Sequence, residues 1–305
     1  MKALLLSASM MLAAVANANQ CYTVRFADVG WTDITATTAL ASAVLESIGY
    51  KTQTQVLSVP ITYKSLANKD IDVFLGNWMP TMEADIKPYL DNGSVESIKK
   101  NLAGAKYTLA VPKAVYDAGV KTFADIARYS DKFGRKIYGI EPGNDGNRLI
   151  QSMIDQNAFG LKNFELVESS EAGMLSQVKR QTRRNKWIVF LGWAPHPMNT
   201  NFELAYLEGG DDFFGPNLGG ASIYTNVRKN YTAECSNLGK FLNNLSFTLT
   251  MENEVMAAIL DEGKKPDVAA KEWLKNNPSI LDTWLKEVTT LDGKPALPVA
   301  RAALE

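Results

Sequence analysis

A segment that occurs twice constrains the fold of this chain more than any other feature. Residues 73–80 read VFLGNWMP and residues 189–195 read VFLGWAP. In each copy an apolar run ends in Leu-Gly and is followed by a tryptophan and a proline, a pattern typical of a buried parallel strand. We therefore predict two similarly built lobes, with Trp78 and Trp193 at matching strand ends, where α/β sheets collect ligands. The alternative is a chance likeness between two core strands with both indoles buried.

The order of the other predicted elements also indicates two lobes. Residues 22–90 alternate strand and helix three times, a strand follows at 106–112, and residues 122–191 repeat the alternation over a similar length. Alternating strands and helices are typical of a parallel sheet with helices on its faces. Another strand and four helices follow Pro216, so we expect the chain to return to its first lobe.

These patterns give explicit expectations for the architecture. Lobe I is expected to comprise residues 19–111 and 214–305, and lobe II residues 112–213. The repeated strand is expected at residues 71–75 in lobe I and at residues 187–191 in lobe II.

Residues 1–18 have the features of a secretory signal peptide. They contain one lysine, an apolar segment and Ala16-Asn17-Ala18, which is an A-x-A cleavage pattern. No later stretch reaches the ~20 apolar residues that a transmembrane helix needs. Cys21 lies close to the cleavage point, but Gln20 before it does not suit attachment of a lipid. We therefore expect a soluble protein in the periplasm.

Export makes the two cysteines informative. Cys21 and Cys235 are the only cysteines, and an oxidising compartment favours one disulfide between them, with two free thiols as the alternative. The bond would close a loop of about 200 residues and contribute ~4–5 kcal/mol in the chain-entropy model. It would tie the mature N-terminus to the C-terminal third of the chain.

Charge and motif content exclude several classes of function. Without Lys2, 31 Lys and Arg residues face 33 Asp and Glu residues, a balance that argues against a nucleic-acid partner. The only histidine is His196, between two prolines. The sequence contains no G-x-S-x-G, H-E-x-x-H, P-loop or G-x-G-x-x-G signature. We therefore expect a protein that is not an enzyme and uses no metal or cofactor.

Four aromatic residues at strand ends or loop starts point to a binding function. Trp31 follows the first strand, Trp78 and Trp193 follow the repeated strands, and Tyr107 enters the strand at 106–112. Converging rings suit a quaternary ammonium, which is cationic, has no N–H group and attracts π faces by ~0.5–2 kcal/mol per ring when desolvated. For each ring, ordinary core packing is the alternative.

Two polar residues could contact the other end of such a ligand. Asp33 could offer a carboxylate to a ligand hydroxyl and a counter-charge to the cation, or it could cap the helix that follows. Asn144 precedes a predicted helix and could hydrogen-bond the polar end of the ligand. Turn formation or helix capping would explain Asn144 and Asp145 almost as well.

Five segments together resemble a known family. FADVGWTD, FLGNWMPTM, AKYTLAVP, GIEPGNDGN and FLGWAPHPMN resemble the glycine betaine/choline/carnitine substrate-binding family of bacterial ABC importers, and within it the choline binders. The resemblance covers essentially the whole mature chain. It implies a two-lobe periplasmic-binding-protein (venus flytrap) fold of class α/β, each lobe a mixed, mainly parallel sheet flanked by helices. The two cysteines also resemble the disulfide of the family.

The resemblance also implies a function and a site. It implies that the protein captures choline, with acetylcholine or betaine as further candidates, and delivers it to an ABC-type permease as a monomer. Carried over by motif, an aromatic box would surround the trimethylammonium group, and two polar residues would contact the hydroxyl end. The box residues are Trp31, Trp78, Tyr107 and Trp193, and the polar residues are Asp33 and Asn144.

Three other functions remain open on the sequence, and one of them is a ligand-binding partner of a chemotaxis receptor, which would use the same fold. A receptor for glycine betaine or carnitine would need a donor for the ligand carboxylate, which Asp33 would repel, although His196 and Arg148 lie near enough in sequence to serve. An exported choline-ester hydrolase would need a nucleophile beside a base, for which His196 is a poor candidate.

Overall fold

The structure, a computed structural model, describes residues 21–304. The predicted signal peptide therefore lies outside the described residues. The nine strands of the described part are β1 (Thr23–Asp28), β2 (Lys51–Val56), β3 (Val73–Met79), β4 (Val95–Pro112), β5 (Lys136–Tyr138), β6 (Glu165–Val167), β7 (Phe190–Ala194), β8 (Leu204–Tyr206) and β9 (Gly220–Arg228).

Helices alternate with these strands and then follow them. The helices of five or more residues are α1 (Thr32–Ser47), α2 (Val59–Asn68), α3 (Glu83–Asp91), α4 (Lys113–Asp117), α5 (Phe123–Arg128), α6 (Asp145–Asp155), α7 (Glu171–Arg183), α8 (Ser236–Asn244), α9 (Leu249–Leu260), α10 (Pro266–Asn276), α11 (Ile280–Trp284) and α12 (Ala296–Leu304). Shorter turns lie at Ala158–Gly160, Met198–Asn201, Asp211–Phe214, Pro216–Gly219 and Tyr231–Glu234. No helix among residues 21–304 is long and apolar enough to cross a bilayer.

The strands form one curled, mixed sheet that serves two lobes. Its order is β2-β1-β3-β9-β4-β7-β5-β6, with β8 paired to β4. The β1 strand is parallel to β2 and β3 in lobe I, and β5 is parallel to β6 and β7 in lobe II. Strands β9 and β4 join the lobes through antiparallel pairs. The fold is therefore a two-lobe α/β architecture, as predicted.

Strand β4 is much longer than the predicted strand at 106–112. Its first part pairs with β9 from Val95 to Lys106, and its second part pairs with β7 from Lys106 to Ala110. The first part reads VESIKKNLAGAK, which has no clear alternation. Its extended form comes from pairing with a strand more than a hundred residues away. Tyr107 lies just past the point where β4 passes from one partner to the other.

The predicted ends of the repeated strand are wrong by a few residues. The predictions were 71–75 and 187–191, whereas β3 and β7 begin later and continue through the tryptophans. Trp78 is paired with Ile223 on β9, and Trp193 with Tyr107 on β4, so the ladders extend past Leu-Gly. Gly76 is required in the first copy because a Cβ there would lie 2.5 Å from Cδ1 of Ile34 on α1.

The C-terminal helices lie beside the N-terminal part of the fold. Helices α9, α10 and α12 pack against α1. A disulfide joins Cys21 to Cys235, so the alternative of two free thiols is wrong. Nearby, Asn237 donates a hydrogen bond of 2.8 Å to the Tyr50 hydroxyl. Helices that are distant in sequence thus cover the face of lobe I and fix the position of α1, whose first residues reach the site.

Candidate functional site

The structure brings the four predicted aromatic residues together around one cavity. Each ring comes from a different element, so the cavity exists only in the folded chain. The lining side chains are Trp31, Trp78, Tyr107, Ile140 and Trp193. The four side chains thus meet at one place and do not point into separate hydrophobic interiors, and all four are also buried.

Tyr107 is the central ring of the cavity. Its centroid lies 6.0 Å from that of Trp78 and 6.3 Å from that of Trp193, with interplanar angles of 61° and 79°. Tilted rings present both edges and faces to the space between them. Gly146 makes this placement possible, because a Cβ there would lie 2.1 Å from the Tyr107 hydroxyl oxygen.

The polar atom of three rings is hydrogen-bonded to a side chain of the protein. The Trp78 indole N–H donates to Oδ2 of Asp33 over 3.1 Å, and the Trp31 N–H donates to Oε1 of Glu141 over 2.9 Å. The Tyr107 hydroxyl donates to Oδ1 of Asn144 over 2.9 Å. These bonds fix the orientation of the rings and satisfy their polar atoms, so the cavity walls are apolar.

Asp33 and Asn144 therefore lie next to the rings. The alternative that the residue caps a helix holds for Asn144 and fails for Asp33. Asp33 is the second residue of α1 and is not its N-cap, a position that Trp31 occupies. Its Oδ1 is buried and has no hydrogen-bond partner among the described residues. Asn144 is the N-cap of α6, where its side chain accepts from the Asn147 amide over 3.1 Å. Asn144 thus caps a helix and holds Tyr107 with the same oxygen.

Buried carboxyl groups near Trp31 and Asp33 have raised pKa values. Burial raises the pKa of Asp33 to about 8, and repulsion from Glu171 contributes to that rise. Burial also raises the pKa of Glu141 to about 7. Glu252 on α9 is buried too, and its pKa is raised by burial and by Asp33. A cation placed in the cavity would favour the ionised forms of these acids.

The two donors that could serve a ligand carboxylate are already engaged with acids. Arg148 forms an ion pair with Asp85 on α3, across the gap between the lobes. His196 is buried, with its Nε2 3.1 Å from Oε1 of Glu171, and its Nδ1 accepts from the Met198 amide over 2.9 Å. With both ring nitrogens occupied, His196 is not positioned as the base of a hydrolase.

Sequence reasoning missed two acidic residues of the site. Glu141 lies within GIEPGNDGN, so its segment was recognised but its carboxylate was not. Glu171 is the first residue of α7, and its Oε2 and Oε1 accept from the Thr32 amide (2.9 Å) and hydroxyl (2.5 Å) in lobe I. Nothing in the local sequence around Glu171 indicates these contacts. Residues 21–304 also contain no cluster of three or more His, Cys, Asp or Glu residues suited to a metal.

This fold and this cavity define a class of protein, the two-lobe ligand-binding proteins that enclose a small molecule between their lobes. A family model described as the substrate-binding domain of the ABC-type glycine betaine transport system (OpuAC) matches residues 22–276. The chain belongs to this family. Members of the family bind substrates for transport, so the protein is a binding protein and not an enzyme.

Solved structures with this fold include close relatives. An ABC-transporter choline-binding protein in complex with choline is 61% identical, with a TM-score of 0.93 over 94% of this chain and 99% of the other. A choline-binding protein in an unliganded semi-closed conformation is also 61% identical, with a TM-score of 0.86 over 93% and 99%. Lactococcal OpuAC, closed with glycine betaine, is 27% identical, with a TM-score of 0.78 over 87% and 99%. The described arrangement of the lobes is thus more similar to that of the choline complex than to that of the semi-closed form.

Proposed function

We propose that this protein captures choline in the aromatic box between its lobes and delivers it to an ABC-type permease. The observation that carries the proposal is a cavity walled by four aromatic rings, with buried carboxyl groups beside those rings. The basic side chains of Arg148 and His196 are already paired with acids. Such a site suits a methylated cation, because the ring faces attract it and the carboxylates balance its charge.

The polar end of choline is assigned to Asp33 and Asn144. Oδ1 of Asp33 is buried and has no partner among the described residues, so it can accept a hydrogen bond from the ligand hydroxyl. The same carboxylate supplies a negative charge close to the Trp78 wall. Asn144 completes this end of the site by holding Tyr107 in place. Trp31, Trp78, Tyr107 and Trp193 are the walls in this proposal.

The acidic surroundings favour choline over glycine betaine and carnitine. A ligand carboxylate would meet Asp33 and Glu141, and Arg148 would have to leave Asp85 to neutralise it. Each unpaired like charge in a poorly solvated site costs free energy. Acetylcholine keeps the cation but replaces the hydroxyl donor with an ester, so its hydrogen bond to Asp33 would be lost.

The same proposal includes the export of the protein, the bounds of its lobes and its oligomeric state. Residues 1–18 are a signal peptide that directs the chain to the periplasm, lobe I comprises residues 19–111 and 214–305, and lobe II comprises residues 112–213. The mature protein works as a monomer that carries its ligand to the membrane permease.

Isothermal titration with five ligands tests the proposal. We expect choline to bind most tightly, followed by acetylcholine and tetramethylammonium, with glycine betaine and carnitine much weaker. The Asp33→Asn variant should reduce the preference for choline over glycine betaine, since it removes the charge that repels the carboxylate. Tighter binding of glycine betaine than of choline by the parent protein would contradict the proposal.

A further inference from the structure

Glu171 forms hydrogen bonds between the two lobes, and its side chain does not line the cavity. It begins α7 in lobe II and is almost fully buried. Its Oε2 accepts the backbone N–H of Thr32, and its Oε1 accepts the Thr32 hydroxyl. Thr32 is the first residue of α1 in lobe I. Both hydrogen bonds therefore cross between the lobes, and Glu171 itself is not among the side chains that line the cavity.

Helix α1 has no side-chain cap of its own. The N-cap position is Trp31, whose side chain makes no capping hydrogen bond. The first N–H groups of a helix lack intrahelical partners, and the positive end of the helix dipole favours a carboxylate. Glu171 satisfies both requirements from the opposite lobe. The start of α1, next to the Trp31 wall, is thus completed by a residue of the other lobe.

The carboxylate is held in lobe II by His196. Because Nδ1 of His196 accepts from the Met198 amide, its proton lies on Nε2, which donates to Oε1 of Glu171. The imidazole also packs against the Trp193 wall, with ring centroids 5.0 Å apart. A continuous set of contacts therefore runs from Trp193 through His196 and Glu171 to Thr32.

We propose that Glu171 is a positioning residue that couples closure of the lobes to assembly of the aromatic box. The inference rests on the proposed function, since it assigns a role in the same binding event. When the lobes are apart, the Glu171 carboxylate and the α1 N-terminus are each solvated by water. When they meet, the carboxylate replaces that water and fixes Trp31 opposite Trp193. Glu171 therefore stabilises the closed, ligand-bound state without touching the ligand.

A double-mutant cycle of Glu171→Gln and Thr32→Val tests the coupling. Glutamine keeps the shape of glutamate but replaces one carboxylate oxygen by an NH2 group, which cannot accept a hydrogen bond from the Thr32 amide or hydroxyl. Valine keeps the shape of threonine and removes the Thr32 hydroxyl. The readouts are the choline dissociation rate, followed by tryptophan fluorescence in stopped flow, and the melting temperature without ligand. Glu165→Gln in β6 is the matched control, because Glu165 is an exposed glutamate of the same lobe.

We expect Glu171→Gln to accelerate choline dissociation by roughly 10- to 100-fold, the range for one hydrogen bond to a charged group. Thr32→Val should accelerate it less and should have little further effect in the Glu171→Gln background, since interacting residues are not additive. The melting temperature without ligand should stay close to that of the parent, and Glu165→Gln should behave as the parent.

Three outcomes would overturn the role of Glu171. These are an unchanged dissociation rate, additive effects of the two substitutions, or a fall in the ligand-free melting temperature that accounts for the lost affinity. The cycle is run with choline, and it is repeated with another quaternary amine if the parent binds that ligand more tightly. If that ligand is glycine betaine, the proposed preference for choline fails while the test of Glu171 remains valid.

Discussion

Replacing Trp193 by leucine separates cation–π attraction from simple apolar contact. Leucine keeps a large apolar side chain at this wall but has no π face. A ring in a desolvated site attracts a cation by ~0.5–2 kcal/mol, so choline affinity should fall by roughly 2- to 30-fold. Trp193→Ala also removes apolar contact, and its loss should reach ~1–3 kcal/mol. Isothermal titration measures both variants.

A neutral analogue of choline completes this experiment. In 3,3-dimethylbutan-1-ol a tert-butyl group replaces the trimethylammonium group, with nearly the same shape and no charge. We expect it to bind the parent far more weakly than choline, and to be affected little by Trp193→Leu. Trp284→Leu is the control, because Trp284 is fully buried against Phe247, away from the cavity. It should lower the melting temperature and leave the choline affinity of the folded protein unchanged.

Two results would refute this reasoning. If Trp193→Leu weakens choline and the neutral analogue equally, the contribution of Trp193 is apolar burial and not attraction of the charge. If Trp193→Leu and Trp193→Ala both bind choline as the parent does, Trp193 is not a wall of the binding site at all.

Three other properties of the structure give predictions. Because burial raises the pKa of Asp33 to about 8, a bound cation should lower that pKa and release a proton at neutral pH. Choline affinity should then rise from pH 6 towards pH 8 and level off above it; titrations in buffers of different ionisation enthalpy would reveal proton uptake if this sign is wrong. Gly146→Ala should weaken choline binding by ~1–3 kcal/mol, since the new methyl group displaces the Tyr107 hydroxyl. Adding Tyr107→Phe should recover part of that loss, and a Gly146→Ala variant with parental affinity would contradict the geometry. Replacing Cys21 and Cys235 by alanine should lower the free energy of unfolding in urea by ~5 kcal/mol, whereas a large change in choline affinity would mean that the disulfide also shapes the site.

Much of the fold could be predicted from local sequence patterns. The repeated Leu-Gly-Trp strand and the alternation of strands and helices were sufficient to predict two α/β lobes, because burial on both faces of a strand leaves a continuous apolar run. The length of β4 was not predicted, since its polar first part is extended only through pairing with β9. The ends of β3 and β7 were misplaced for the same reason: ladder hydrogen bonds to a neighbouring strand depend on partners that are distant in sequence.

The sequence by itself predicted an aromatic box for a methylated cation, since four aromatic residues at strand ends suit such a ligand. Only the tertiary structure showed which acids form hydrogen bonds with Trp31 and with the start of α1. Glu141 and Glu171 meet Trp31 and Thr32 across 110 and 139 residues of chain. No periodicity records such contacts, because they arise when the sheet places two helix ends from different lobes within hydrogen-bonding distance. A carboxylate on one lobe and an uncapped helix on the other are unremarkable until the fold brings them together.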